Sequence, residues 1–272
     1  MANDSRSDTV TAYFTAVRKG KLAEVRAFLR AGMAVDVRIP KVLIKPGHPA
    51  RVTALMIAAE KGHRAIVKLL LAEGANPSAI NEFKRSVLSY AVEGNQPGIV
   101  SLLLKAGADP NQRGYRKEFV LRAAAAPNAD PRIAKLLIQY GADVNMAAEH
   151  RGTALHIAAY RGNLVVARLL LKAGADVNQA NDFHGGPLTC ALVHRQATMV
   201  AFLLKHGADP KAQPEALGLA AWEGMLQTVK RLLAAGFDPN SHAWQGRTPL
   251  QHARNRKHRK VVEVLLAAGA TG

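Results

Sequence analysis

Apolar and polar residues follow a repeated pattern of two short helices along the chain, and residues 153–178 show the pattern most completely. Leu155, Ile157, Ala158 and Ala159 suit a short helix of small residues, and Thr153 is its predicted N-cap. Gly162 ends this helix. The second helix places apolar residues on one face, and Gly174 supplies the residue that tolerates positive φ at its end. One such pair cannot bury its own apolar face, so it requires neighbours.

The glycine that closes each second helix recurs at nearly constant intervals, at Gly32, Gly74, Gly107, Gly141, Gly174, Gly207, Gly236 and Gly269. The successive intervals are 42, 33, 34, 33, 33, 29 and 33 residues. A period near 33 residues indicates a stacked array. The sequence therefore predicts about eight units in one domain over residues 9–272, after a flexible N-terminus at residues 1–8. Residues 9–36 and 240–272 are the predicted caps.

Five segments repeat one motif in phase with this period, at residues 53–58, 86–91, 153–158, 186–191 and 248–253. They resemble the Thr-Pro-Leu-His-x-Ala motif of the ankyrin-repeat family, and the resemblance covers nearly the whole chain. It implies an all-α ankyrin-repeat solenoid of helix-turn-helix units joined by β-hairpin loops. It also implies that His156 bonds backbone across repeats and that His63 packs against the turn at Gly62.

Three units depart from the pattern. Nine extra residues lie within the loop at residues 37–52, which either projects as a finger with an apolar tip or folds back onto the first helix pair. The fourth unit has a first helix predicted over residues 118–126, ending at Pro127, with Asp130 capping the next helix. The seventh unit lacks four residues, so its loop should be clipped.

The net charge of +17 arises from 37 Lys and Arg against 20 Asp and Glu. This excess favours an acidic protein partner, whereas nucleic acid is more weakly supported because no aromatic–basic nucleic-acid module is visible. Residues 254–260 hold five cations and no acid, and they form either a solvated cap surface or an anion-binding patch.

The lone Cys190 favours a reducing, cytoplasmic setting. No apolar stretch of 18 residues exists, and the first twenty residues contain no apolar run long enough for a signal peptide, so we expect neither a membrane span nor a leader.

The sequence contains none of the catalytic or phosphate-binding motifs that we searched for. No phosphate-binding loop, nucleophile elbow or His-Glu-x-x-His pair occurs, and the ten His are scattered over separate repeats. We therefore expect a protein that is not an enzyme, with no cofactor, no metal and no small-molecule ligand.

By the resemblance, binding residues should lie at the hairpin tips and at the exposed end of each first helix. Aromatic residues occur at four of the five tip pairs, and Tyr, Trp and Arg dominate binding hot spots. The alternative is that tip rings pack against adjacent hairpins and only stiffen them. The predicted partner-binding residues are Lys61, Phe83, Tyr115, Arg116, His150, Tyr160, Arg161, Phe183, His194, Trp222, Trp244 and Arg256.

These observations favour a non-catalytic protein–protein interaction module that binds an acidic partner. Two alternatives stay open at this point: an inhibitor or immunity-type protein that blocks the active site of a partner, and a basic scaffold associated with nucleic acid.

Overall fold

The computed structural model describes residues 2–39, 50–114, 118–148, 152–181, 185–241 and 246–271, with side chains from residue 7 onward. Over these residues the chain forms sixteen helices in eight consecutive pairs, and its only β structure is a set of isolated bridges. The all-α architecture of repeated helix-turn-helix units is therefore confirmed. The helices are α1 Ala2–Arg18, α2 Leu22–Arg30, α3 Ala54–Glu60, α4 Arg64–Ala72, α5 Val87–Glu93, α6 Pro97–Lys105, α7 Val120–Ala124, α8 Pro131–Gln139, α9 Ala154–Arg161, α10 Leu164–Lys172, α11 Pro187–Val193, α12 Ala197–Lys205, α13 Ala216–Trp222, α14 Leu226–Ala234, α15 Pro249–Asn255 and α16 Arg259–Ala267.

The chain divides into two compact units. Unit 1 comprises Met1–Ala124 and Asn128–Asp143, and unit 2 comprises Ala125–Pro127 and Val144–Gly272. Unit 1 contains α1 to α8, and unit 2 contains α9 to α16. Within each unit, the first helices of consecutive pairs pack against one another, as do the second helices. Each pair therefore buries its apolar face against its neighbours, as the sequence pattern requires.

The pair formed by α9 and α10 shows how local sequence sets the repeat. The Thr153 backbone N–H donates to Nδ1 of His156 over 3.1 Å, and this contact closes a capping box at the start of α9. Nε2 of the same ring lies 3.2 Å from the carbonyl oxygen of Gly185 in the next repeat. The predicted backbone bond of His156 across repeats is thus confirmed. Gly162, with a φ of 70°, ends the helix.

The eight closing glycines have φ values between 83° and 89°. A Cβ at any of these positions would meet no atom within 4 Å, so crowding does not explain the choice of residue. The left-handed backbone conformation alone requires glycine there, because it is strained for residues that carry a Cβ.

Two helix boundaries differ from the predicted ones. Helix α7 covers five residues instead of the predicted nine, although Asp130 does cap α8 by accepting from the Arg132 backbone N–H over 2.9 Å. Pro127 disfavours the helical conformation at the residue before it. At the other end, the Glu118 carbonyl accepts from the Gly114 backbone N–H and is thereby held outside the helix. Helix α1 begins at Ala2, seven residues before the predicted start of the first unit, in a segment free of Gly and Pro.

The shortened loop of the seventh unit is confirmed by the helix bounds. Ten residues (206–215) separate α12 from α13, whereas fourteen (173–186) separate α10 from α11. The choice between a finger and a fold-back for the insertion concerns residues 40–49, which lie outside the described residues. None of the described helices combines the length and apolar character needed to cross a membrane.

Candidate functional site

The predicted binding residues at the ends of the first helices lie where each helix leaves the buried stack. In seven of the eight pairs the first helix presents a run of buried residues and reaches the surface at its end, whereas in α7 the last residue, Ala124, and the following Ala125 are both buried. We call the described members of this set the inner row: Lys61, Tyr160, Arg161, His194, Trp222 and Arg256.

Unit 2 brings three members of the inner row into one cluster. The rings of Tyr160 and His194 lie 3.6 Å apart between centroids, tilted by 48°, although they belong to consecutive repeats. The guanidinium of Arg161 lies over the Tyr160 ring, 4.9 Å from its centroid. Tyr160 is half-buried, whereas Arg161 and His194 are exposed. The tyrosine ring therefore supports two surface groups that can carry positive charge.

A second cluster in unit 2 is built around Trp222. Arg256 of the following repeat stacks on the indole at 4.0 Å from the centroid, and the buried His252 ring meets it edge-on at 5.6 Å. Arg195 donates to the Glu223 carbonyl oxygen over 2.8 Å, and its Nε lies 3.4 Å from the Glu223 carboxylate. Trp222 is half-buried, so it is both a packing residue and a surface residue.

The two stacked arginines retain their hydrogen-bonding edges. Neither Arg161 nor Arg256 has an acidic group within 4.0 Å among the residues that the structure describes. Stacking occupies the face of a guanidinium and leaves its in-plane N–H donors directed outward. Such donors match the two oxygens of a carboxylate.

The two predicted residues of unit 1 that the structure describes, Lys61 and Phe83, are exposed, and no such cluster forms around them among the described residues. The Phe83 side chain, near the tip of the loop before α5, is 42% exposed, and its backbone N–H donates to Asn81 Oδ1 over 2.9 Å. Lys61 is exposed, with its Nζ 3.7 Å from the Glu60 carboxylate. The predicted water-facing position of Phe83 is thus seen directly. Five further predicted tip residues lie outside the described residues: Tyr115, Arg116, His150, Phe183 and Trp244.

The turns between first and second helices are held by side chains from the next repeat. His63 packs over the turn at Gly20, and its Nε2 lies 3.0 Å from the Arg18 carbonyl oxygen. His258 does the same at Gly224, with Nε2 3.0 Å from the Trp222 carbonyl oxygen. The prediction that His63 packs its own turn at Gly62 is therefore wrong, since it braces the preceding one. Gln96 occupies the space over Gly62.

The sequence did not identify the contact of His252 with Trp222 or the pairing of Arg195 with Glu223 beside it. Both contacts cross from one repeat to the next, so no spacing within a repeat signals them. Chemistry at the one thiol is disfavoured, because burial raises the pKa of Cys190 to about 12. No group of His, Cys, Asp or Glu with the makings of a metal site occurs among the described residues.

Comparison with known proteins agrees with this architecture. The family described as ankyrin repeats (three copies) matches residues 16–114 and 121–214, and a single ankyrin repeat matches residues 245–271. Among solved structures, the ankyrin repeat domain of Bcl-3, described as a unique member of the IkappaB protein family, is similar with a TM-score of 0.69. The identity is 28%, and the similarity covers 79% of this chain and 98% of the Bcl-3 chain. A search of curated proteins found no match.

Proposed function

Because the chain belongs to the ankyrin-repeat family, whose repeats are protein–protein interaction modules, we propose that it is a non-catalytic protein that binds an acidic segment of a partner protein. The inner row of unit 2 is the proposed centre of the contact, and the hairpin tips extend it. A cytoplasmic location, which the lone buried Cys190 favours, belongs to the same proposal.

The observation that carries this proposal is the pair of stacked arginines, Arg161 on Tyr160 and Arg256 on Trp222. Each guanidinium is oriented by an aromatic ring before any ligand arrives, so less side-chain entropy is lost when a carboxylate binds. A hydrogen bond to a charged group contributes about 1.5–3 kcal/mol. Tyr, Trp and Arg are also the residue types that dominate measured binding hot spots.

The charge of the chain supports the same partner chemistry. A net charge of +17 attracts acidic surfaces over several ångströms and speeds their encounter. Glu223, the acid that directly follows Trp222, is already paired with Arg195. The stacked arginines are thus the groups that an incoming carboxylate can reach.

Affinity capture with charge-matched variants tests the proposal. The wild type, the inner-row variant Arg161→Gln/Arg256→Gln and the control Lys230→Gln/Arg231→Gln on α14 are immobilised, and retained proteins are quantified by mass spectrometry. Both variants lose two charges at exposed positions. We expect the partner to remain on the wild type and the control, and to fall about 10- to 100-fold on the inner-row variant. Equal retention on the two variants would refute the assignment.

The exposed basic turn between α15 and α16 favours one second candidate, binding to nucleic acid. Arg254, Lys257, Arg259 and Lys260 are all exposed, and among the described residues they form no ion pair. A salt titration with a fluorescent oligothymidylate separates the candidates. Steeply salt-dependent, sequence-independent capture of the oligonucleotide would favour nucleic acid over an acidic protein.

A further inference from the structure

A pocket of about 310 Å³ opens in unit 1 between α5, α7 and the residues that precede α7. Phe119, Val120 and Ala123 provide apolar walls, and the Gly114 backbone forms part of the lining. Phe119 and Val120 are almost completely buried, whereas Ala123 is exposed to the pocket side. The site therefore has a fixed apolar floor that is open to a ligand.

The pocket exists because the fourth repeat carries a small residue at a position where its neighbours carry large ones. Ala123 is two residues after the motif leucine, Leu121, and the corresponding residues are Tyr90 in the repeat before it and Ile157 in the repeat after it. Neighbouring repeats fill this volume with their own side chain, and this repeat leaves it empty.

The charges at the edge of the pocket are already neutralised by each other. Arg85 forms an ion pair with Glu93 and also lies 4.5 Å from the centroid of the Tyr90 ring. Glu118 accepts from the Arg122 guanidinium over 2.8 Å. Burial raises the pKa of Glu93, while Arg85 acts in the opposite direction. An ionic ligand would therefore have to break a formed pair, whereas a neutral one would not.

We propose that this pocket receives a neutral apolar side chain of leucine, methionine or phenylalanine size from a protein ligand. The apolar walls and the internally paired charges favour such an anchor over an ion. A desolvated pocket for one apolar side chain is the usual setting of a binding hot spot. The inference goes beyond the proposed acidic contact, because it concerns unit 1 and a different chemistry.

Methyl-detected NMR with small probes tests the pocket without knowledge of the partner. N-acetyl-leucinamide is titrated against the methyl resonances of Ala123 and Val120, and N-acetyl-asparaginamide serves as the polar probe of similar shape. We expect saturable shifts with the leucine probe, with a dissociation constant on the order of 1–10 mM, and no saturation with the asparagine probe.

Two variants fill the pocket with residues that other repeats already carry. Ala123→Ile copies Ile57 and Ile157, and Ser89→Met copies Met56 at another lining position. The control Ala27→Ile makes the same chemical change at an exposed position of α2. We expect either filling variant to abolish saturation at the Val120 methyls, and the control to leave it unchanged, with helical circular dichroism as the check on folding.

The outcomes separate this inference from the proposed function. Saturation that survives both filling variants, or equal shifts with both probes, would overturn the pocket assignment. The Arg161→Gln/Arg256→Gln variant should retain the leucine-dependent shifts, because its changes lie in unit 2. Loss of those shifts in this variant would also count against the pocket as an independent site.

Discussion

Gln213 is completely buried, and its side chain caps a helix of the preceding repeat. Its Oε1 accepts from the backbone N–H groups of Leu188 and Thr189 at 3.0 and 3.4 Å, at the start of α11. The N-cap of that helix is Gly186, which has no side chain that could accept these hydrogen bonds. Atoms of Gln213 lie 2.3–3.0 Å from the place where a Cβ of Gly186 would be. The glycine and the glutamine therefore share one space.

Substitution of Gln213 and Gly186, singly and together, should reveal whether their contributions to stability are coupled. Gln213→Ala and Gly186→Thr should each lower the free energy of unfolding by about 1–3 kcal/mol, the first through a lost cap and the second through a clash. The double variant should recover most of this loss, because the introduced threonine can cap α11 as Thr248 caps α15. Urea denaturation measures all three. Additive losses in the double variant would contradict the shared space, and the exposed Gln139→Ala should change stability by less than about 0.5 kcal/mol.

Cys190 gives the protein a dependence on alkaline pH. Its thiol ionises near pH 9 in an unfolded chain, whereas burial in α11 raises its folded pKa to about 12. The unfolded state therefore binds fewer protons above pH 9, and stability should fall as the pH rises through this window. The slope is up to about 1.4 kcal/mol per pH unit. Burial also raises the pKa of Tyr13 to about 12, but from 10, so it contributes only above pH 10.

The variant Cys190→Ala should remove the decrease in stability that begins near pH 9. Denaturation under reducing conditions at pH 8, 9 and 10 should show a smaller decrease for the variant than for the wild type. Identical slopes would mean that the thiol is no more protected in the folded state than in the unfolded one.

The sequence predicts the role of a single residue correctly where that role is tied to a fixed position in the repeat. Asn95 occupies the turn position that Gly62 holds in the preceding unit, and asparagine tolerates positive φ next best after glycine, so its φ of 53° follows from the sequence. His156 was recognised by its motif position. The role of Gln213 was not predicted, because its partners are backbone groups 24 and 25 residues away in the sequence. They lie at the start of α11, where the N-cap Gly186 gives no sign that another side chain supplies the cap.

At the element scale, asparagines link consecutive loops within each unit. The side chain of Asn145 donates to the Gly174 carbonyl oxygen over 3.1 Å and accepts from the Asp176 backbone N–H over 2.7 Å. Asn111, Asn178 and Asn240 make the same pair of contacts with the following loop. Lys211 occupies the equivalent position after α12, so the described residues lack this link there.

Lys211→Asn should therefore stabilise the protein. The Lys211 backbone N–H already donates to Asp209 Oδ1 over 2.8 Å, as Asn178 does to Asp176, so the local turn suits asparagine. New contacts with the loop at Gly236 should raise the free energy of unfolding by about 0.5–1.5 kcal/mol, measured by urea denaturation. Lys211→Ala is the control for loss of the lysine. Equal stability of the two variants would show that the link does not form.

The helix pairs could be predicted because each is specified by residues within one repeat. The pocket beside α7 could not be predicted, because it depends on the space that Ala123 leaves unfilled between two repeats. The stacked pairs of the inner row could not be predicted either, because they too depend on two repeats. Tyr160 and His194 were each predicted to be exposed binding residues, but their contact crosses from α9 to the end of α11.

At the scale of the whole molecule, charge acts in two ways that kinetics can separate. The net charge of +17 acts at long range, so the removal of any two cations should slow association with an acidic partner. The stacked arginines of the inner row should in addition hold the bound partner. Their effect is local and should appear in the dissociation rate.

Surface plasmon resonance with the captured partner distinguishes the two effects. Lys230→Gln/Arg231→Gln should lower the association rate constant modestly and leave the dissociation rate constant unchanged. Arg161→Gln/Arg256→Gln, with the same change in net charge, should lower the association rate constant to a similar extent and raise the dissociation rate constant about 10-fold or more, because bonds to charged groups are lost. Added salt should reduce the association rate constant for all three proteins. If the two variants dissociate at the same rate, the arginines only contribute to the general field, and the contact lies elsewhere on the molecule.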